Sequence, residues 1–219
     1  MPNITVDDSI LRLIGFLPLF IVSITVHEFA HAFIAFRCGD LTARSQGRMT
    51  LNPLKHIDLF GTIIMPMLSF ASGFAMIGWA KPVQINRNNF RNPMKDDLMV
   101  SAAGPVSNLL LAFIILLLLI TFSMLHIEVS KLLGQTLVYG IFLNVFLFCF
   151  NMLPIPPLDG SHILYDLFPN EYTARYMQMG LVGTIFILVI LNTPLFKYFM
   201  KMVSYITSLL LNLYQFSNL

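Results

Sequence analysis

The chain reads as an all-α polytopic membrane protein, and three observations lead there. Of its 219 residues, 57% are hydrophobic and only 11% are charged, with a mean hydropathy of +0.76; soluble domains carry about a quarter charged residues. Apolar runs at about 10–36, 59–79, 98–125, 136–154, 177–193 and 195–215 approach the roughly 20 residues that a bilayer-spanning helix needs. No polar stretch between them is long enough for a soluble domain. Residues 1–219 are therefore expected to form one integral-membrane domain of five to six transmembrane segments, with a core at about 10–168 and C-terminal helices at about 177–215.

The first run is nearly uncharged apart from Arg12 and has no small-residue cleavage site after it, so it is a retained span rather than a signal peptide. Basic residues collect on the cytoplasmic side of membrane proteins. The loop after the first run holds Arg37, Arg44, Arg48 and Lys55, and the loop at about 80–97 holds Lys81, Arg87, Arg91 and Lys95. Both are assigned inside, which argues against a complete crossing by 59–79 and leaves a kinked full span as the competing arrangement. That run is broken by Gly61, Pro66, Ser69, Ser72, Gly73 and Gly78, residues that weaken a straight helix. It is expected to be a re-entrant hairpin, or short β element, between the first two core helices, with its backbone covered by protein.

The next two runs then go out and back, with Glu128 and Lys131 in the outer link. Asn151 consequently returns to the face where the first span ends. The last two runs meet at Asn192-Thr193-Pro194, a helix breaker. Lys197 and Lys201 would lie near the outer face, against the positive-inside trend, so an interfacial final helix is the competing arrangement. Cys38 and Cys149 are far apart in sequence and are expected to be separate buried thiols. The net charge of +2 gives no reason to expect a nucleic-acid partner.

Within the first span, His27-Glu28-Phe29-Ala30-His31 forms an H-E-x-x-H motif. On a helix His27 and His31 lie one turn apart on one face, so both imidazoles can reach one zinc ion, with Glu28 beside them as general base. Three ionisable residues inside a span are costly and mark a functional site. A catalytic zinc usually takes a third protein ligand, and Asp159 is the best candidate. It follows the stretch Asn151 to Leu158, where Pro154, Pro156 and Pro157 end the helix and favour an extended chain lining a cavity. Gly160 permits a turn just after it. Asp40 and Asp58 read as solvated or paired loop residues, Asp166 and Glu171 as loop charges. His162 reads as a surface residue or an outer partner of the metal site. His56 and His126 are isolated.

Together, the H-E-x-x-H motif, Ala103-Gly104-Pro105-Val106-Ser107-Asn108, and the run from Asn151 to Gly160 resemble the site-2 proteases, which are zinc intramembrane metalloproteases. Gly78-Trp79-Ala80-Lys81-Pro82-Val83 is similar to the compact prokaryotic members. The resemblance implies one Zn2+ per chain held by His27, His31 and Asp159, with Glu28 as the catalytic glutamate. It also implies that Asn151 polarises the scissile carbonyl. The chain shows no room for a PDZ or nucleotide-sensing domain, so any substrate filter would come from a separate regulatory membrane partner.

The expected activity is hydrolysis of peptide bonds in or near transmembrane segments of membrane proteins, in the cytoplasmic membrane, with the site towards the cytoplasmic leaflet. Such a substrate must unwind before attack, and an extended substrate can pair with a strand edge. Lys81, Val83 and Ile85 form the candidate edge, where Pro82 is tolerated near the start. Ser101, Ala102, Ala103 and Gly104 form a small-residue patch for close helix approach, and Asn108 is expected to bond across that contact. A membrane metal transporter or metal-binding protein could use the same ligands, but it would have no need of a base at Glu28. Prenyl-processing proteases share the motif yet take a His or Glu as their third ligand.

Overall fold

In the computed structural model, which describes residues 6–71 and 78–216, nine α-helices follow one another. They are α1 (Val6–Cys38), α2 (Thr42–Ser45), α3 (Met65–Ala71), α4 (Pro93–Met124), α5 (Lys131–Asn151), α6 (Asp159–Leu167), α7 (Glu171–Met177), α8 (Gly180–Leu191) and α9 (Pro194–Phe216). Short 3₁₀ turns lie at Pro53–Lys55 and Arg87–Asn89, and a π-helical stretch at Leu59–Ile64 runs into α3. Residues 72–77, part of the sequence-predicted hairpin, lie outside the described residues.

Local chemistry sets the helix ends. Gly39 follows α1 at φ 111°, a left-handed conformation that suits glycine, and Asp40 N–H closes back on the Ala35 carbonyl. The Asn92 side chain caps α4 with Pro93 in its first turn, and Ser130 caps α5. Asn170 and Thr173 form a reciprocal capping box on α7.

Among the described residues, three helices are long and apolar enough to cross a membrane: Gly15–Cys38, Pro93–Met124 and Lys131–Asn151. A fourth span exists if α7 and α8, bent by 71° at their junction, count as one. This is fewer than the five to six expected. The run at 59–79 is divided among a π-helical stretch, α3 and residues outside the described set. The run at 177–193 begins at the bend, and α9 is diluted by Lys197, Lys201, Ser204, Thr207 and Ser208. No strand forms among the described residues, so the predicted β element is absent there. Residues 80–86 are instead irregular and extended.

α1 packs against α4 and α5, and α4 packs against α5, α6 and α9. Chain direction places the end of α1, the start of α4 and the end of α5 at one level. An apolar cluster of Ala112, Ile115, Leu116, Leu119, Ile141, Val145, Cys149 and Val203 joins α4, α5 and α9. A second cluster of Ala35, Cys38, Phe90 and Val100 closes the other end of the α1–α4 contact. Cys38 and Cys149 are both free and buried, as expected. Leu110, Ile114 and Leu117 of α4 are exposed, and on a helix of this length they form a lipid-ready face.

Two contacts return the chain after residue 77 to the π-helical stretch and to the turn just before it. Trp79 N–H donates to the Gly61 carbonyl at 3.0 Å, and Lys81 N–H donates to the His56 carbonyl at 2.9 Å. The Trp79 ring covers Gly61, where a Cβ would come within 2.3 Å of the indole nitrogen.

Candidate metal centre

His27 and His31 lie one turn apart on α1 and face α4. Only Gly104 allows that approach. A Cβ there would lie 2.3 Å from His31 Nε2 and 2.5 Å from His27 Nε2. The small-residue patch expected to bring helices together therefore brings backbone against imidazole.

Outer partners on α4 orient both rings. His31 Nδ1 is 2.7 Å from the Val100 carbonyl oxygen, so Nδ1 is the protonated nitrogen and donates. His27 Nδ1 is 2.7 Å from Asn108 Oδ1. The Asn108 amide is itself fixed, because its nitrogen donates to the Ser23 carbonyl at 3.1 Å and to Asn144 Oδ1 at 3.0 Å. Asn144 in turn donates to Ser23 Oγ and to the Gly140 carbonyl. Read from this network, His27 also carries its proton on Nδ1. Asn108 and Asn144 are fully buried, and apart from the Asn144–Gly140 bond within α5 these contacts run between α1, α4 and α5. The expected cross-helix bond of Asn108 is present, and its partner is the site itself.

Asp159, the first residue of α6, completes the cluster. Its Oδ2 lies 3.2 Å from His27 Nε2 and its Oδ1 lies 3.4 Å from His31 Nε2. The two Nε2 atoms are 3.0 Å apart. With each ring held through Nδ1, both Nε2 atoms and the carboxylate converge on one point. Asp159 Oδ2 is buried without a hydrogen-bond partner. Among the described residues, this is the one group of His, Cys, Asp or Glu able to hold a metal ion. A nitrogen–nitrogen–oxygen set of this kind suits zinc.

Asp159 thus sits at the start of a helix that follows the proline stretch. Gly160 serves close approach rather than a turn, since a Cβ there would lie 2.4 Å from the Met152 carbonyl oxygen. Asn151, at the end of α5, lines the same cavity and gives one amide N–H to the Leu147 carbonyl at 3.0 Å. The cavity is about 650 Å³ and is lined also by Glu28, Val83, Ile85 and His162.

Glu28 is buried and accepts a 2.7 Å hydrogen bond from the Val83 backbone N–H. The segment containing Val83 is anchored at several points. Arg48 donates to the Lys81 carbonyl at 2.7 Å, and Asn86 N–H donates to Asp40. Of the candidate edge, Lys81 has both backbone groups engaged and Val83 has its N–H engaged. The backbone of Gln84 and Ile85 lies between these anchors.

Two of the acidic residues outside the centre are buried: Asp40, of its two expected states, is the paired one, and Asp166 departs from its reading. Asp40 is buried and accepts from Thr42, Asn86 and Asn89. Burial opposes its ionisation, but those hydrogen bonds hold its carboxyl below the usual range. Asp166 is no loop charge: it is buried on α6 and ion-paired with Arg87. Burial and the nearby Asp97 push it up to about 6, against the pull of Arg87. His162 is half-exposed and lies 3.8 Å from Asp97, so it partners that residue and not the metal ligands. His56 is fully buried and bonded to the Thr50 carbonyl.

Comparison with known proteins places this geometry in context. The model of peptidase family M50 matches residues 15–191, which contain every residue of the centre. The chain is 46% identical over 182 residues to the Bacillus subtilis protein named "Putative zinc metalloprotease YwhC", covering 81% of this chain and 80% of that one. It is 32% identical over 185 residues to "Putative zinc metalloprotease Rip2" of Mycolicibacterium smegmatis, covering 84% and 69%. No solved structure matches the chain.

Proposed function

The chain belongs to peptidase family M50, the site-2 protease family, and from that premise we propose a zinc metalloendopeptidase that cuts peptide bonds in or near the transmembrane segments of other membrane proteins. The observation that carries this reading is the convergence of His27 Nε2, His31 Nε2 and the Asp159 carboxylate beside Glu28 in one cavity. His27, His31 and Asp159 would hold the metal. When bound, zinc supplies Lewis acidity, polarising a carbonyl and bringing the pKa of water towards about 7.

The chain's own residues supply the rest. Glu28, oriented by Val83, takes the proton from the attacking water and returns it to the leaving amine. Asn151 has one amide N–H committed to its own helix and a second to offer the carbonyl oxygen as charge develops there. A locally unwound substrate pairs along Val83 to Ile85, where Val83 and Ile85 line the cavity.

The orientation rests on charge. Arg37, Arg44, Arg48 and Lys55, with Lys81, Arg87, Arg91 and Lys95, lie between the last turn of α1 and the first turn of α4, the face at which α1 ends and α4 begins. That face is proposed to be cytoplasmic in a multi-pass protein of the cell membrane. The contacts of Trp79 with Gly61 and of Lys81 with His56 support a 59–79 segment that enters and leaves on that face. Lipid and membrane-protein substrates are the proposed partners, together with a regulatory membrane protein.

The test uses purified protein in liposomes with a single-span substrate, comparing wild type with Glu28→Gln and measuring zinc in both. Cleavage by wild type, and zinc without cleavage in the variant, is the expected result. Zinc flux into the liposomes without cleavage of any of a panel of spans would overturn the proposal in favour of a transporter.

A further inference from the structure

Arg87 stands outside the metal centre, yet it joins the two pieces of chain that build it. Its Nη1 lies 3.3 Å from Asp97 Oδ2 on α4, and its Nη2 is hydrogen-bonded to Asp166 Oδ1 on α6. The guanidinium also lies 4.9 Å from the centre of the Tyr165 ring. Both carboxylates are buried, and the helix register makes their positions matter. Asp166 follows Asp159 by seven residues, about two turns, and so shares its face of α6. Asp97 precedes Val100, the residue that orients His31, by less than one turn of α4.

We propose that Arg87 is a positioning residue for the metal-ligand carboxylate, clamping the helix that bears Asp159 to the helix that orients His31. This rests on the reading of His27, His31 and Asp159 as a metal site. The physical case is charge and geometry together. Two buried carboxylates on neighbouring helices repel one another, and one planar guanidinium can answer both at once. α6 meets α4 through packing, through His162 beside Asp97, and through this bridge. Losing the bridge frees Asp159 to move against the histidines. The effect reaches the metal without Arg87 touching it, as for other outer-shell partners whose loss typically costs about 10- to 100-fold in metal affinity.

The test measures zinc affinity by competition with a fluorescent chelator in detergent. It compares wild type with Arg87→Ala, Arg87→Lys and Asp166→Asn, and uses Glu171→Ala on the exposed start of α7 as control. Arg87→Ala should bind zinc about 10- to 100-fold more weakly. Arg87→Lys restores charge but not the two-pronged bridge, and should recover only part of the loss. Asp166→Asn should weaken binding without a fall in melting temperature, and the control should not change it. Zinc affinity within twofold of wild type in a folded Arg87→Ala protein would overturn the proposal. If that variant fails to fold, unchanged affinity in both Arg87→Lys and Asp166→Asn overturns it instead. Amide hydrogen exchange across 159–167 in chelator-treated protein gives a second readout that needs no zinc. Faster exchange in the Arg87 variants supports the clamp, and unchanged exchange refutes it. A wild type that takes no zinc, with the exchange result intact, refutes the metalloprotease reading alone.

Discussion

The backbone N–H of Val83 is 2.7 Å from Glu28 Oε2, although the two residues are 55 positions apart in the chain. A segment read from sequence as a docking edge for substrate is therefore also the support of the proposed general base. One carboxylate oxygen is held, and the other is left to work on a proton.

Removing that donor should affect chemistry more than binding. Val83→Pro deletes the N–H and should lower kcat by about 10- to 100-fold, the equivalent of a hydrogen bond to a charged group of roughly 1.5–3 kcal/mol. Val83→Ala keeps the N–H and should stay within a few-fold of wild type. Steady-state cleavage with zinc content measured on each variant separates the two, because the proline variant should keep its metal.

Gly104 faces both imidazoles without a side chain between. Gly104→Ala places a Cβ 2.3 Å from His31 Nε2, closer than carbon and nitrogen can pack, and α4 backbone cannot yield as a flexible side chain would. Loss of zinc is expected in protein that still extracts as a folded species, read by metal analysis after gel filtration. A variant with stoichiometric zinc would show that the rings have another way to turn.

Asn108 controls which nitrogen of His27 faces the centre. Asn108→Ala removes the Oδ1 acceptor and leaves Asn144 Oδ1 without its donor in a fully buried place. Zinc affinity should fall by about 10- to 100-fold, and melting temperature should fall with it. Asn108→Asp retains an acceptor for His27 and should bind zinc more tightly than the alanine variant.

Asp166 and Asp40 should give stability opposite dependences on pH. Asp166 has its folded value raised to about 6, so its contribution is present below about pH 4, the unfolded carboxylate value. That contribution is lost as pH rises through about 6. Asp40 has its folded value lowered, so its contribution is present above about pH 4 and lost as pH falls further. Melting temperatures across pH 3–7 should show wild type losing ground to Asp166→Asn on going up. Against Asp40→Asn, wild type should lose ground on going down.

The legible part of the centre was the part written in short spacings. His27 and His31 are one turn apart in any helix, so their convergence follows from α1 alone. Asp159 was found by counting crossings, an argument that needs only which end of the bundle a segment reaches. The supporting contacts had no such route. His31 with Val100 and His27 with Asn108 depend on the antiparallel register of α1 against α4, which charge and hydropathy do not specify. Arg87 read only as one of the basic residues of a loop, and Asp166 as a loop charge. The seven-residue step from Asp159 to Asp166 carries meaning only once 159–167 is known to be helical, and the three prolines just before it argued for extended chain. Alternation of Val83 and Ile85 around Gln84 suggested a strand, but their neighbours bond to His56, Arg48 and Asp40 instead of to a second strand.

The anchoring of residues 81–87 has a consequence for how such a protease can change its diet. Val83 touches the base and Arg87 grips the helix bearing Asp159, with only Gln84, Ile85 and Asn86 between them. A new preference for substrate sequence, if written into this stretch, alters the tension on both catalytic partners at once. Gln84 accepts a hydrogen bond from Gln46 and Ile85 packs by Ala35, Cys38, Phe90 and Val100, so these side chains change together with those neighbours, while the backbone length between Val83 and Arg87 is fixed. Insertions or deletions there should abolish turnover where side-chain exchanges merely redirect it, so selectivity in this chain can drift by substitution and not by loop grafting.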